Sequence, residues 1–218
     1  MATHTIDHPL VQDIITQLRD KSTGSKDFRE LVTRISTLLC YEAARDLKLE
    51  VITVETPMAQ TKAPVLCDQE IMVVPIIRAG LAMSEGLRAC LPEASIGYIG
   101  IKRDEETLAP QQYYQNFPME NKAAPVFICD PMLGTGGSAV TTIDALKADG
   151  YTNIRFIGIF AAPEGIAAIE NKHADVPMYL GVIDEGLNDI GYMVPGVGDA
   201  GDRLFGVDRS ILGDNNSD

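Results

Sequence analysis

The chain has 218 residues, of which 45% are hydrophobic and 22% charged, an ordinary globular balance and enough length for one well-buried core. Its formal net charge of −13 argues against broad nucleic-acid binding, which needs a basic footprint. No apolar run approaches the ~18 residues needed to span a bilayer, and Met1–Thr5 lacks a basic then apolar leader, so a cytoplasmic location is expected.

From the N-terminus, Leu10, Val11, Ile14, Ile15 and Leu18 share one helical face, with Asp7 and Pro9 at its start. Lys21–Lys26 reads as a linker. Phe28, Leu31, Val32, Ile35, Leu38, Leu39, Ala43 and Leu47 then outline a long amphipathic helix. Residues 1–48 are therefore expected to form a helical part that packs or assembles and carries no chemistry. His4 and His8 have metal-like spacing but fall in an end expected to fray. The four cysteines, Cys40, Cys67, Cys90 and Cys129, form no Cys-x-x-Cys pair and read as reduced thiols.

Leu49–Thr56 alternates like a strand and stops before Pro57. Ile71–Pro75 is a buried-strand run, followed by Ile76-Ile77-Arg78-Ala79-Gly80 and a helix from about Leu81 to Cys90. Ile96–Ile101 is another strand. Residues 102–119, polar at first and then carrying Tyr113, Tyr114 and Phe117, read as an exposed hairpin arm rather than core.

Val126-Phe127-Ile128-Cys129 then delivers Asp130 to the end of a strand, and a Gly-, Thr- and Ser-rich loop leads into a helix from about Gly137 to Ala148, closed by Gly150. Unpaired N–H groups of such a loop and helix start can face an anion, with Gly134, Gly136 and Gly137 allowing close approach and Thr135 and Ser138 adding hydroxyls. A carboxylate beside a phosphate cradle suits a sugar phosphate; a tight capped turn is the plainer reading. Ile154–Ala161 is a strand, Glu164–Asn171 a helix and Met178–Ile183 a strand, while 213–218 reads as a disordered tail. Strands alternating with helices predict an α/β fold: a mainly parallel central sheet flanked by helices, with ligands at the carboxyl ends of its strands.

Three further stretches fall where such a sheet places a site. Arg78 enters a glycine-containing turn from a strand end, suited to a phosphate or to a surface ion pair. Arg103 follows a strand directly, with Asp104, Glu105 and Glu106 after it, suited to an anion or to a charged hairpin. Gly191–Arg203 contains a formal G-x-G-x-x-G at 196–201, but Pro195 precedes it and no strand–turn–helix context is evident. A loop exposing its own peptide groups, able to read a small planar amide-like molecule, fits that stretch better than a dinucleotide site.

Together these four stretches resemble the uracil phosphoribosyltransferase family, in order and at matching spacing from about Val73 to Val207. Asp130-Pro131-Met132-Leu133-Gly134-Thr135-Gly136-Gly137-Ser138 is similar to that family's phosphoribosyl-pyrophosphate (PRPP) loop, and Gly191-Tyr192-Met193 through Gly198-Asp199-Ala200-Gly201-Asp202 to its uracil loop. Ala161–Gly165 and Asp184–Asn188 also match. The resemblance implies a single domain with a uracil-binding hood at 184–207, forming UMP and pyrophosphate from PRPP and uracil. Arg78 and Arg103 would contact PRPP phosphates, Asp130 the ribose hydroxyls, and residues 131–138 the 5′-phosphate. Met193, Gly198, Asp199 and Ala200 would hold uracil, with Asp199 also beside PRPP. Asp130 and Asp199 are the candidate catalytic carboxylates. Mg²⁺ would ride on the pyrophosphate rather than on protein ligands, which reconciles an acidic chain with an anionic substrate. The resemblance further implies a homodimer or homotetramer and, as in some bacterial members, GTP as an effector. Proline after Asp130, where phosphoribosyltransferases often carry a second acid, points to the uracil branch. Gly134 stands where many relatives are expected to have Ala. The competing reading is a regulator that uses the same fold to sense nucleotides and bind RNA, and the charge of −13 speaks against it.

Overall fold

A computed structural model describes residues 3–67, 70–103 and 110–206. The chain runs β1 (Thr3–Thr5), α1 (Pro9–Arg19), α2 (Ser25–Ala43), β2 (Leu49–Glu55), β3 (Gln60–Leu66), β4 (Met72–Ile77), α3 (Gly80–Cys90), β5 (Ser95–Ile96), β6 (Tyr98–Arg103) and β7 (Pro110–Asn116). It continues through β8 (Pro125–Leu133), α4 (Gly137–Ala148), β9 (Asn153–Ala161), α5 (Pro163–Lys172), β10 (Met178–Ile183), β11 (Gly186–Leu187), β12 (Met193–Val194) and α6 (Ala200–Phe205).

The main sheet has the order β1-β10-β9-β8-β4-β6-β7, with β5 also paired to β4. Every pairing is parallel except β6 with β7. From β4 the chain moves outward to β6, then returns to the other side of β4 and continues through β8, β9 and β10. The direction reverses between β4 and β8, and there the strand ends part to leave a crevice.

Alternation along the central strands explains the two cores. Val73, Phe127, Cys129, Ile157 and Ile159 face α1, α2 and α3, together with Ile14, Leu18, Ile35, Leu39, Met83 and Leu87. Val74, Val126, Ile128, Ile154 and Phe156 face the other way, onto Ile143, Leu146 and Ile169 of α4 and α5. Strands buried on both faces read as continuous apolar runs, which is why these were visible in the sequence.

Several expectations need correction. The N-terminal part is not wholly helical: Thr3–Thr5 pairs parallel with Met178–Leu180, and His4 stacks on Tyr179 with ring centroids 4.9 Å apart. His8, not Asp7, caps α1, its Nδ1 accepting from the Leu10 N–H. Leu10 is 57% exposed, because four residues per two turns already fill the buried stripe. Leu47 lies beyond α2, which stops at Ala43. The exposed hairpin arm is present as expected, β6 and β7 pairing antiparallel with every residue of β7 exposed; only beyond it is Met119 buried and Phe117 packed on the α4–α5 side, and the 104–109 part of the arm lies outside the described residues. Tyr113 and Tyr114 are exposed as expected. A freestanding hairpin occurs elsewhere, in β2 and β3, which pair with each other and with no other described strand. The expected tail at 213–218 lies outside the described residues.

Candidate active site

The crevice lies between the ends of β4 and β8 and two loops. A cleft of about 370 Å³ is lined by Ile76 and Arg78 from the end of β4, Asp130 and Met132 from β8, Ser138 from α4, and Met193 and Gly198–Gly201 from the chain before and into α6. A smaller pocket beside it, sharing Asp130, Met132, Gly134 and Ser138, is closed by Leu133, Thr135, Gly136 and Gly137. The two expected loops, more than fifty residues apart in sequence, thus face each other across the same cleft.

β8 continues through the acid to Leu133 rather than stopping at it. Asp130 pairs with Gly158, and Met132 and Leu133 with Phe160 and Ala161 of β9, so the strand holds the half-buried carboxylate rigidly at the rim. Pro131 and Leu133 are buried strand residues, and Pro131 lines neither pocket. Pairing of β8 with β4 ends at Cys129, so the missing N–H of Pro131 costs no bond on that side. Behind the acid, burial and then the Asp130 charge push the Cys129 thiol up, which keeps it protonated and inert.

The anion loop proper is Gly134–Ser138. Gly136 adopts φ +80° at the N-cap of α4 and has no side chain to cap it, while the Thr135 hydroxyl accepts from the Gly137 N–H at a long 3.5 Å. A helix start of this kind turns its first N–H groups outward, and the long Thr135 bond is weak enough to yield to an anion, with the Ser138 side chain beside it at the cleft. The loop rests directly on α5: a Cβ at Gly165 would lie 2.4 Å from the Gly134 carbonyl, and one at Gly136 would lie 2.6 Å from the Ala168 Cβ. That contact gives Ala161–Gly165 its place in the pattern.

Opposite, Arg78 is exposed at the rim, its guanidinium 5.8 Å from the Phe205 ring centroid. Its peptide with Ile77 is cis, as is Val194–Pro195. Gly80 begins α3 so close to the sheet that a Cβ there would lie 2.4 Å from the Cys129 carbonyl. The described part of Arg103 is its backbone, at the end of β6.

The far wall differs from expectation in one respect. A short helix does follow the glycine-rich stretch: Asp199 is the N-cap of α6, accepting from the Asp202 N–H at 2.9 Å. Met193 is buried in a two-stranded ribbon with Leu187, while Gly198, at φ +75°, leaves open space where a Cβ would project. Gly191, Gly198 and Gly201 have no side chain, so at these lining positions only backbone can meet a ligand, beside Tyr192, Met193, Asp199 and Ala200. Sequence reading missed what holds this wall. Arg19 of α1 and Arg203 of α6 donate to the Gly196 and Val197 carbonyls respectively, at 2.9 and 3.1 Å, and Arg29 of α2 donates to the Leu204 carbonyl at 2.7 Å. No local signal singles these arginines out: α2 alone also carries Lys26, Asp27, Glu30, Arg34 and Glu42.

Among the described residues, no group of three or more His, Cys, Asp and Glu is arranged to hold a metal ion. The cleft's two carboxylates, Asp130 and Asp199, are hard oxygen donors that suit a Mg²⁺ delivered with a polyphosphate. No helix among the described residues is long and apolar enough to cross a membrane.

A carboxylate and a helix start at the switch point of a parallel sheet define a phosphoribosyltransferase-type site. The adenine phosphoribosyl transferase of Trypanosoma brucei, solved with AMP, pyrophosphate and ribose-5-phosphate, has a similar fold at 14% identity and a TM-score of 0.56, covering 87% of this chain and 85% of that one. The AQ2163 protein of Aquifex aeolicus superposes with a TM-score of 0.89 at 38% identity, over 95% of this chain and 99% of that chain. The uracil phosphoribosyltransferase family model matches residues 5–207, and the chain belongs to that family. Proteins named uracil phosphoribosyltransferase from Geobacillus kaustophilus and Dictyoglomus turgidum are 49% and 52% identical, covering 94% and 93% of this chain and 98% of each relative.

Proposed function

We propose that the protein transfers the phosphoribosyl group of PRPP to uracil, giving UMP and pyrophosphate. The observation that carries this reading is the meeting of the Gly134–Ser138 anion loop and the glycine-containing Met193–Ala200 wall across one cleft, with Asp130 between them.

The geometry suits a reaction that depends on positioning and charge rather than on a protein nucleophile. The first-turn N–H groups of α4 would take the 5′-phosphate, leaving the Asp130 carboxylate level with the ribose hydroxyls. Arg78 would meet the pyrophosphate at the opposite rim. As uracil N1 bonds to the anomeric carbon and pyrophosphate leaves, positive charge grows on the sugar, where Asp130 would stabilise it. Mg²⁺ carried in on the pyrophosphate oxygens would neutralise the leaving group. Holding both substrates in line contributes the largest share of the acceleration.

Base choice would come from the main chain between Met193 and Ala200. A carbonyl accepts from uracil N3–H and an N–H donates to O4. Cytosine inverts both groups, leaving buried partners unpaired at a cost of about 1–3 kcal/mol each. Asp199, occupied as the α6 cap, would shape this wall rather than exchange protons.

A homo-oligomer is supported by the β2–β3 hairpin, which exposes Leu49, Val51, Ile52, Met58 and Leu66. The GTP effector rests on the family resemblance. The test is pyrophosphate release from PRPP with Mg²⁺, offering uracil, cytosine, hypoxanthine and orotate separately, with and without GTP. Release with uracil alone is expected. Comparable turnover of cytosine would overturn the base assignment, and no release with any base would overturn the reaction.

A further inference from the structure

The peptide groups that face the cleft belong to a loop with little secondary structure of its own, so something must fix their direction. Asp184 ends up where it can do this. It follows β10, its side chain is 1% exposed, and it accepts from the Gly196 N–H at 3.0 Å. Arg19, in the last turn of α1 and 25% exposed, pairs with both Asp184 oxygens and donates to the Gly196 carbonyl at 2.9 Å. Its guanidinium also lies 5.0 Å from the Phe160 ring centroid. Both polar groups of one loop residue are therefore satisfied by one buried ion pair.

Gly196 itself admits no side chain. It sits at φ +58°, and a Cβ there would lie 2.3 Å from the Met193 carbonyl. Two residues later Gly198 reaches the cleft. A charge as buried as Asp184 is retained only if well paired, and here every partner belongs to α1 or to the loop.

We infer that Arg19 and Asp184 are positioning residues for base recognition: the pair clamps Gly196 so that the peptides from Val197 to Ala200 present fixed donors and acceptors to the base. The inference rests on the uracil reading of that wall. Neither side chain lines the cleft or the anion loop, so the effect is confined to the base side.

The test uses Arg19→Lys, which keeps the cation but loses the two-pronged fork, and Asp184→Asn, which keeps an acceptor for the Gly196 N–H but removes the counter-charge of Arg19. Steady-state kinetics on both should show KM for uracil raised on the order of ten- to a hundredfold, the penalty typical of a slightly misplaced contact. KM for PRPP should stay within about twofold, and the uracil-to-cytosine preference in kcat/KM should fall by about tenfold. Folded variants with unchanged KM for uracil and unchanged selectivity, or with both KM values rising in proportion, would overturn the inference. Amide hydrogen exchange on the unmodified protein provides the second arm. The Gly196 N–H should exchange as slowly as the buried β10 amides; exchange at the rate of an open loop would overturn the clamp. Wild-type protein that releases no pyrophosphate with uracil would instead remove the uracil reading, while the exchange result would still judge the clamp.

Discussion

Gly136→Ala tests the anion loop most sharply. An L-residue at φ +80° carries a left-handed penalty of roughly 1–2 kcal/mol. The new methyl would also lie 2.6 Å from the Ala168 Cβ and 3.0 Å from the Gly165 carbonyl, both on α5. Overpacking of that kind costs about 1–3 kcal/mol. The sum of about 2–5 kcal/mol corresponds to a Tm lower by roughly 5–15 °C for a chain of this size. Relief requires the loop and α5 to move apart, and movement of the loop displaces the N–H groups that would meet the 5′-phosphate. KM for PRPP should therefore rise by at least about tenfold. Gly134→Ala is the matched control: its Cβ would meet only Leu187 Cδ2 at 3.7 Å, an ordinary contact, and its φ is not positive. That variant should keep its KM and gain up to about 1 kcal/mol by restricting the unfolded chain. Calorimetry and PRPP saturation curves on both variants decide the matter. A Gly136→Ala protein with wild-type Tm and KM would refute the reasoning.

Asp130→Asn should lower kcat by about 10²–10³ with little change in Tm, since the carboxylate is held by its strand and acts on developing charge; kinetics and calorimetry together check this. His173 is buried beside Lys147, Lys172, Asp144 and Asp175, and burial first, then Lys147, lower its pKa below the ordinary 6.5. The unfolded chain therefore binds the proton first, so His173's contribution to stability is complete above about pH 6.5 and is lost as pH falls below it. Thermal midpoints at pH 7.5 and 5.5 should show a drop that His173→Gln reduces; an unchanged drop would count against the assignment. Replacing Leu49 and Val51 together by Lys should shift the protein toward monomer in sedimentation without lowering its Tm as a monomer, because both side chains are exposed on the hairpin.

Strong local signals were those that one rule could carry. Apolar runs such as Val126–Cys129 and Ile154–Phe160 announced buried parallel strands, and Asp130 followed by Gly134, Gly136 and Gly137 announced a strand-to-helix anion turn. Weak ones depended on partners distant in sequence. Thr3–Thr5 is a strand only because β10 offers an edge. Gln60–Leu66 begins with polar residues and contains Pro64, which argues against a strand unless it lies in an isolated ribbon. Helix α6 was obscured by Gly201, although Asp199 as cap and Gly206 at φ +66° mark its two ends. The clamp on Gly196 joins residues up to 177 apart, and nothing near Arg19 in sequence hints at it.

The most direct test of the account is a crystal structure with UMP bound. The 5′-phosphate should lie within hydrogen-bonding distance of the backbone of Gly134–Ser138, the ribose hydroxyls on Asp130, and the uracil ring against the main chain of Met193–Ala200. A nucleotide whose phosphate sits away from the α4 N-terminus, or whose base faces away from the Gly198–Ala200 segment, would contradict it.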